Sequence, residues 1–128
     1  MFENLDVMRM ASAMAKHAGA RQAVVAENIA HANTPGYKAR DVKPFAESYG
    51  AGMDKAVRMR ATRDGHFGET GGLTPEEFQL DAPASANGNS VSIETEMLRS
   101  VDVKRQHDRA LAIYKHSMDV LRMSLGRR

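Results

Sequence analysis

The 128-residue sequence predicts a mainly α fold, with long N- and C-terminal helices paired in a coiled-coil-like bundle and a loop-rich middle holding a short β-hairpin. Three observations lead there. Apolar and small residues recur at spacings of three and four near both ends of the chain, which is the period of a helical seam. Seven of the ten Gly and two of the four Pro fall within residues 46–90, between those ends. Large aromatic anchors are scarce, with four Phe, three Tyr and no Trp, while nine Met and many Ala suit helix-on-helix packing. The expected organisation is one helical unit from residues 1–33 and 93–128, with 34–92 forming a turn, loops and the hairpin.

The first helix is predicted from Met8, Ala11, Ala15, Ala18, Val25, Ile29 and Ala32, a heptad-like seam with Gln22 as its one polar member. Gly19 within it costs about 1 kcal/mol relative to Ala, so a close-approaching neighbour helix is the expected reason for it. The helix stops in the string Asn28-Ile-Ala-His-Ala-Asn33-Thr34-Pro35-Gly36-Tyr37. Pro35 pushes Thr34 out of the helical region, and Pro then Gly at the central positions fits a type II turn with Gly36 at positive φ. Asn33 is read as a left-handed helix cap, and Asn28 as an amide placed to bond the exposed backbone of the turn.

In the middle, Val57, Met59 and Ala61 alternate with Arg58, Arg60 and Thr62, and Phe78 and Leu80 alternate with Gln79 and Asp81; these are the two candidate hairpin strands. Residues 86–90, Ala-Asn-Gly-Asn-Ser, signal a turn. The last helix is placed at 93–126, with Ser92 as N-cap, Glu94 and Glu96 in the first turn, and Arg122, Arg127 and Arg128 at the far end. Its seam is Leu111, Tyr114, Met118, Leu121 and Leu125; upstream the same stripe passes Met97, Ser100, Lys104 and His107.

Two paired helices bury one face each, so the remaining apolar surface points to an assembly subunit that completes its packing against other chains. The formal charge of +2 hides opposed blocks: residues 67–96 carry six acidic and no basic residues, and 97–128 carry eight basic against three acidic. Such blocks steer one copy onto another, or a basic surface onto an acidic partner. An alternative reading is a basic helical nucleic-acid-binding protein using Arg99, Lys104, Arg105 and Arg109 on phosphates. It is disfavoured because no aromatics interleave these residues and the acidic block repels the same ligand. No Cys is present, so disulfides and thiolate metal sites are excluded. His17, His31, His66, His107 and His116 have no metal-ligand spacing, and neither a phosphate-binding Gly-rich loop nor a nucleophile elbow exists. Catalytic, metal and cofactor residues are expected to be none. The N-terminus lacks the features of a cleaved secretory signal.

The string from Asn28 to Tyr37 resembles the N-terminal signature of flagellar rod, hook and hook-associated proteins, Asn-x-x-Asn-x-x-Thr-Pro-Gly-Tyr, in its common Asn-Ile-Ala-Asn-Ala-x-Thr-Pro-Gly-Tyr form. His31 stands where the middle Asn does. The resemblance is strongest to the basal-body rod proteins of the proximal rod, and continues through Lys38–Val42, Met59–Phe67, Asn87–Val91, Glu96-Met97 and the final helix. It implies a non-enzymatic building block whose terminal helices pack around an axial export channel, with the middle segment facing outward. It also implies several partners: rod subunits of the FlgC, FlgF and FlgG types, the adaptor FliE and the MS ring, and the flagellar type III export gate. The implied location is the periplasmic rod of the basal body, reached without a cleaved signal, with no nucleic acid partner and no membrane span. Phe45 and Tyr49 sit where the resemblance places an export-gate motif, Tyr49 replacing the usual aliphatic residue.

Overall fold

A computed structural model describes residues 2–54 and 75–126. Along the chain lie α1 (Phe2–Ala30), β1 (Arg40–Val42), α2 (Phe45–Asp54), β2 (Glu77–Gln79) and α3 (Ile93–Ser124). Helices α1 and α3 pack antiparallel over most of their length: Asn28 bonds Glu96, and further along Gln22 bonds Ser100. No helix among the described residues is long and apolar enough to cross a membrane.

The packed seam has a strict seven-residue repeat of mostly small residues. Ala11, Ala18 and Val25 are buried on α1, and Glu96, Val103, Ala110 and Ser117 on α3. A sustained repeat of seven keeps the same face turned to the partner, as in a coiled coil. Ala and Ser at the contact let the two backbones approach closely, and the Ser117 hydroxyl is satisfied by donating to the Ile113 carbonyl one turn back. A second face of α1, at His17, Val24 and Asn28, is covered by the Ala39–Lys43 segment, in which Ala39 and Val42 are buried.

This seam differs from the expected one by a single residue on α3. Leu111, Tyr114 and Leu125 are exposed and Met118 and Leu121 half-buried, because the intramolecular stripe runs one position earlier. On α1, Met8 and Ala15 are half-buried and Ile29 is exposed, while Ala11, Ala18 and Val25 are buried. The large apolar side chains that drew attention in the sequence flank the contact, and the small ones fill it. Gly19 is likewise exposed, and a Cβ added there would meet nothing within 4 Å, so α3 is not the neighbour that requires a glycine.

Other corrections follow from local chemistry. Helix α1 ends at Ala30, three residues before Asn33, and Asn33 does not take positive φ. Past Ala30 the chain tightens through bonds spanning three residues, His31 N–H to Asn28 O, Ala32 N–H to Ile29 O and Thr34 N–H to His31 O. The turn itself is as expected: Gly36 has φ +72° and the Tyr37 N–H donates to the Thr34 carbonyl at 3.3 Å. Helix α2 occupies part of a segment read as loop on account of its glycines. Its first turn is anchored by Pro44, whose carbonyl accepts from the N–H groups of Glu47 and Ser48. The strand containing Phe78 exists, but it pairs antiparallel with β1, with Asp41 opposite Phe78. The proposed partner strand at Val57–Ala61 lies outside the described residues. Glu76 leads into this strand, which begins at Glu77. Helix α3 begins as expected at Ser92, whose Oγ accepts from the Thr95 N–H, and closes with Gly126 at φ +66°.

One end of the helix pair is thus tied to the sheet and loops, and the other end, around Leu5, Met123 and Leu125, is exposed. Native-state hydrogen exchange on the monomer should show the slowest amides in Val24–Asn28 and Glu96–Val103, with protection falling steadily toward Phe2–Met10 and Met118–Ser124. Uniform protection along both helices would contradict this gradient.

Candidate functional site

The residues of the Asn28–Tyr37 string build a corner at the tied end, and Asn28 is its centre. Its side chain is fully buried, at 0% exposure. The Nδ2 group donates to the Arg40 carbonyl at 2.7 Å and to Glu96 Oε2 at 3.1 Å. Oδ1 accepts from the Arg40 N–H at 3.1 Å and from the Tyr37 hydroxyl at 3.4 Å. All four bonding positions of the amide are filled. The expectation that Asn28 bonds the turn is therefore corrected: it bonds β1 and α3, pairing with both backbone groups of Arg40 as a neighbouring strand would.

Glu96, 1% exposed, is the partner from α3, and its other oxygen accepts from Arg99 one turn on. Burying this carboxylate is tolerable only because a cation and an amide share it. The sequence pointed to Glu96 as a helix-dipole residue; its role here is to join the start of α3 to the end of α1.

The work expected of Asn28 is done by Asn89. Its Nδ2 lies 2.9, 2.8 and 2.8 Å from the carbonyls of His31, Ala32 and Thr34, so one side chain satisfies the backbone that α1 leaves open. Asn89 is positioned by its own turn. The Asn87 carboxamide oxygen accepts from the Asn89 N–H, Ser85 N–H donates to the Asn89 carbonyl, and Gly88 takes φ +80°. The two glycine turns then meet back to back: the Gly36 N–H donates to the Asn87 carbonyl, and a Cβ on Gly88 would lie 3.4 Å from Gly36 Cα. Ser90 completes the joint, donating its N–H to the Tyr37 carbonyl and accepting from the Ala39 N–H.

His31 has a defined place. Its ring stacks on Tyr37, with centroids 4.6 Å apart and planes at 18°, and its Nδ1 lies 3.2 Å from the Thr34 hydroxyl. Asn33, Thr34 and Pro35 are exposed and contribute backbone shape.

A second polar tie lies one turn and more up α1. Arg21 grips Asp41 with two parallel bonds of 2.8 Å, and Asp41 also accepts from the Val42 N–H at 2.7 Å. Burial pushes the Asp41 carboxyl up, but the Arg21 fork and the Val42 N–H outweigh it and hold the group below the usual carboxylate range. The same pair raises the Arg21 guanidinium. Beside it, buried His17 contacts the Lys43 carbonyl through Nε2 at 2.8 Å and meets the Phe45 ring edge-on at 5.6 Å. Phe45 in turn lies 5.1 Å from Tyr49, one turn along α2. The suggested export-gate residues thus lie one turn apart on α2, with Phe45 against His17 of α1.

The chemistry is that of a joint. Every buried side-chain nitrogen and oxygen among the described residues has a hydrogen-bond partner, and no group of three His, Cys, Asp or Glu among them is arranged to hold a metal ion. Asn89, Glu96 and the Arg21–Asp41 pair were not foreseen from the sequence as functional residues. The Asn-Gly-Asn turn signal was the one clue to Asn89.

Two substitutions test the joint. Asn28→Asp keeps the shape but replaces two donors with acceptors facing a carbonyl and the Glu96 carboxylate; urea unfolding at neutral pH should show a loss of about 3 kcal/mol. Asp41→Asn should cost about 2 kcal/mol near pH 7. Because the native Asp41 carboxyl is held below its unfolded value, its stabilisation is complete above the ordinary carboxylate pKa and is lost as pH falls through the lowered native one. The gap between wild type and Asp41→Asn should accordingly close in acid, and a gap that persists there would show that the ion pair is not its source.

The family model for flagella basal body rod proteins matches residues 10–38, which span most of α1 and the whole turn. The chain is 33% identical over 129 aligned residues to the flagellar basal body rod protein FlgB of Agrobacterium fabrum, covering 96% of this chain and 95% of that one. It is 31% identical over 101 residues to the FlgB proteins of Escherichia coli K12 and Shigella flexneri, at 72% coverage of both chains in each case. With a helical frame, a closed polar corner at the Thr-Pro-Gly-Tyr turn and identity extending over nearly the full length, the chain belongs to the FlgB family of flagellar basal body rod proteins.

Proposed function

We propose that this chain is a structural subunit of the proximal part of the flagellar rod. Its two terminal helices pack against those of neighbouring subunits around the axial export channel, and the rod so built transmits torque. The observation that carries this reading is the division of side chains on α3: the small residues face α1, while Met97, Leu111, Tyr114 and Leu125 remain outside and exposed. A helix with that outer face completes its burial against another chain. The seam residues Met8, Ala15, Val25, Ile29, Leu111, Tyr114, Met118, Leu121 and Leu125 then divide between the pair itself and its neighbours.

The corner fixes the angle at which the chain leaves the helices, which is what a repeating assembly requires of every copy. Within this reading the neighbours are rod subunits of the FlgC, FlgF and FlgG types and the FliE adaptor on the MS ring. Phe45 and Tyr49 meet the type III export gate, and the subunit reaches the periplasmic rod without a cleaved signal. The nucleic-acid alternative loses one of its four phosphate contacts, since Arg99 is committed to buried Glu96, and the relatives of this chain are flagellar rod proteins.

Deletion of the gene in its host should give non-swimming cells whose isolated basal bodies lack a complete rod, with both restored by the wild-type gene. Swimming cells with complete rods would overturn the proposal.

A further inference from the structure

Asn occurs at positions 4, 28, 33, 87 and 89, and of these only Asn87 is followed by glycine. An Asn-Gly pair carries a reaction of its own. The main-chain nitrogen of the glycine can attack the carboxamide carbon of the Asn, and a glycine, having no Cβ, leaves that approach open. Asn is thermolabile through this route. Asn87 lies exposed on the turn before α3, whereas its neighbour Asn89 is buried.

The joint holds Asn87 away from this reaction. The Gly88 N–H donates to the Ser85 carbonyl at 2.8 Å, which closes a turn over Ser85–Gly88. No non-glycine residue among those described takes positive φ, so the turn is of type I with Asn87 in its third position. There ψ is about 0°, and the Asn87 nitrogen eclipses the Gly88 nitrogen. Ring closure needs the Asn87 Cβ in that eclipsed place, so the Gly88 peptide has to rotate first. Rotation breaks the Gly88 bond to Ser85 and pulls the Asn87 carbonyl from the Gly36 N–H, 3.0 Å away. The carboxamide is held as well, its Oδ1 accepting from Ser85 Oγ at 2.9 Å and from the Asn89 N–H at 3.0 Å.

We propose that Asn87-Gly88 is a deamidation site which the folded corner protects and the unfolded chain exposes, and that its β-linked product cannot rebuild the corner. In the reaction the Gly88 nitrogen bonds to Asn87 Cγ, the Cγ–Nδ2 bond breaks, and ammonia leaves with the proton that Gly88 gives up through solvent. Water then opens the succinimide ring on either side. Opening at Cγ gives ordinary Asp, whose carboxylate still accepts from Ser85 and Asn89. Opening at the main-chain carbon gives isoaspartate: the chain now runs through Cβ and Cγ, one atom longer, and the carbonyl that received the Gly36 N–H becomes a free carboxylate. The longer path moves Gly88 off Gly36 and carries the Asn89 amide away from the carbonyls of His31, Ala32 and Thr34, which it must reach to close the end of α1. The site belongs to the joint and does not depend on what the chain assembles into.

The test incubates the purified full-length chain at mildly alkaline pH, in native buffer and in urea. Peptide mass mapping follows the segment around Asn87, and labelling by an isoaspartyl methyltransferase scores the β-linked product there, apart from any formed at Asp64-Gly65. Deamidation of Asn87 should run about tenfold or more slowly in native buffer than in urea, since it waits on local opening of the corner. Asn89→Ala, with its helices confirmed by circular dichroism, should bring the native rate close to the urea rate, and Gly88→Ala should slow the reaction in urea. After refolding, isoaspartyl chains should unfold at lower urea than wild type, while Asn87→Asp unfolds with it. Equal rates in native buffer and urea, a folded Asn89→Ala as slow as wild type, or isoaspartyl chains as stable as wild type would each overturn the proposal. Should Asn89→Ala lose its helices, the ratio of native to urea rates in wild type decides alone.

Discussion

The fold turns on one buried amide. Asn28 lies at the last turn of α1 with no exposure, and a polar group there costs several kcal/mol unless every bond is replaced. The geometry replaces all four, and the partners come from three places: the strand residue Arg40, Tyr37 at the exit of the turn, and Glu96 in the first turn of α3. Two donors and two acceptors on one short planar group meet this requirement. Asp has no donors in its ionised form, and an aliphatic residue has neither. By bonding both backbone groups of Arg40, Asn28 also occupies the helix-side edge of β1, so the sheet grows only toward β2.

Around that amide the corner is built as a nested set of turns. A helix that stops at Ala30 leaves carbonyls pointing into the loop, and Asn89 collects three of them from a segment more than fifty residues away. This is possible only if the chain before α3 lies tightly on the turn after α1. The facing glycines Gly36 and Gly88 allow it: both take positive φ, and the Gly88 position lies directly against the Gly36 backbone. The start of α3 is therefore set by the end of α1, and the antiparallel register of the two helices follows from the corner as much as from their seam.

The elements with strong periodicity or turn chemistry were legible in the sequence, namely the two long helices, the type II turn, the Ser92 cap and a strand at Phe78. Helix α2 was hidden because its glycines argue against a helix, while its stabilising contact, Phe45 on His17, is tertiary. Strand β1 has three residues, too few to show alternation, and it is specified by Asn28 and Arg21 rather than by its own pattern. The seam was misplaced by one residue because hydrophobicity marks Leu111 and Tyr114, whereas close helix packing selects Ala110 and Ser117. Of the corner, the Thr-Pro-Gly-Tyr turn was readable. Asn89 and Glu96 were not, since a hydrogen bond between distant residues leaves no local trace.

That misplacement has a physical consequence. A seam of Ala, Val and Ser buries little apolar area per residue, so the isolated helix pair relies on close backbone approach and on polar ties at one end. The larger side chains, worth more when buried, are held on the outer face of α3, and Gly19 leaves the facing surface of α1 open rather than filling it. A chain organised in this way spends its directional bonds on shape and leaves much of its hydrophobic driving force unused in the monomer. The corner specifies one geometry for every copy, and burial of the outer face then rewards only arrangements compatible with that geometry, which links the buried amide of Asn28 to the order of the assembly.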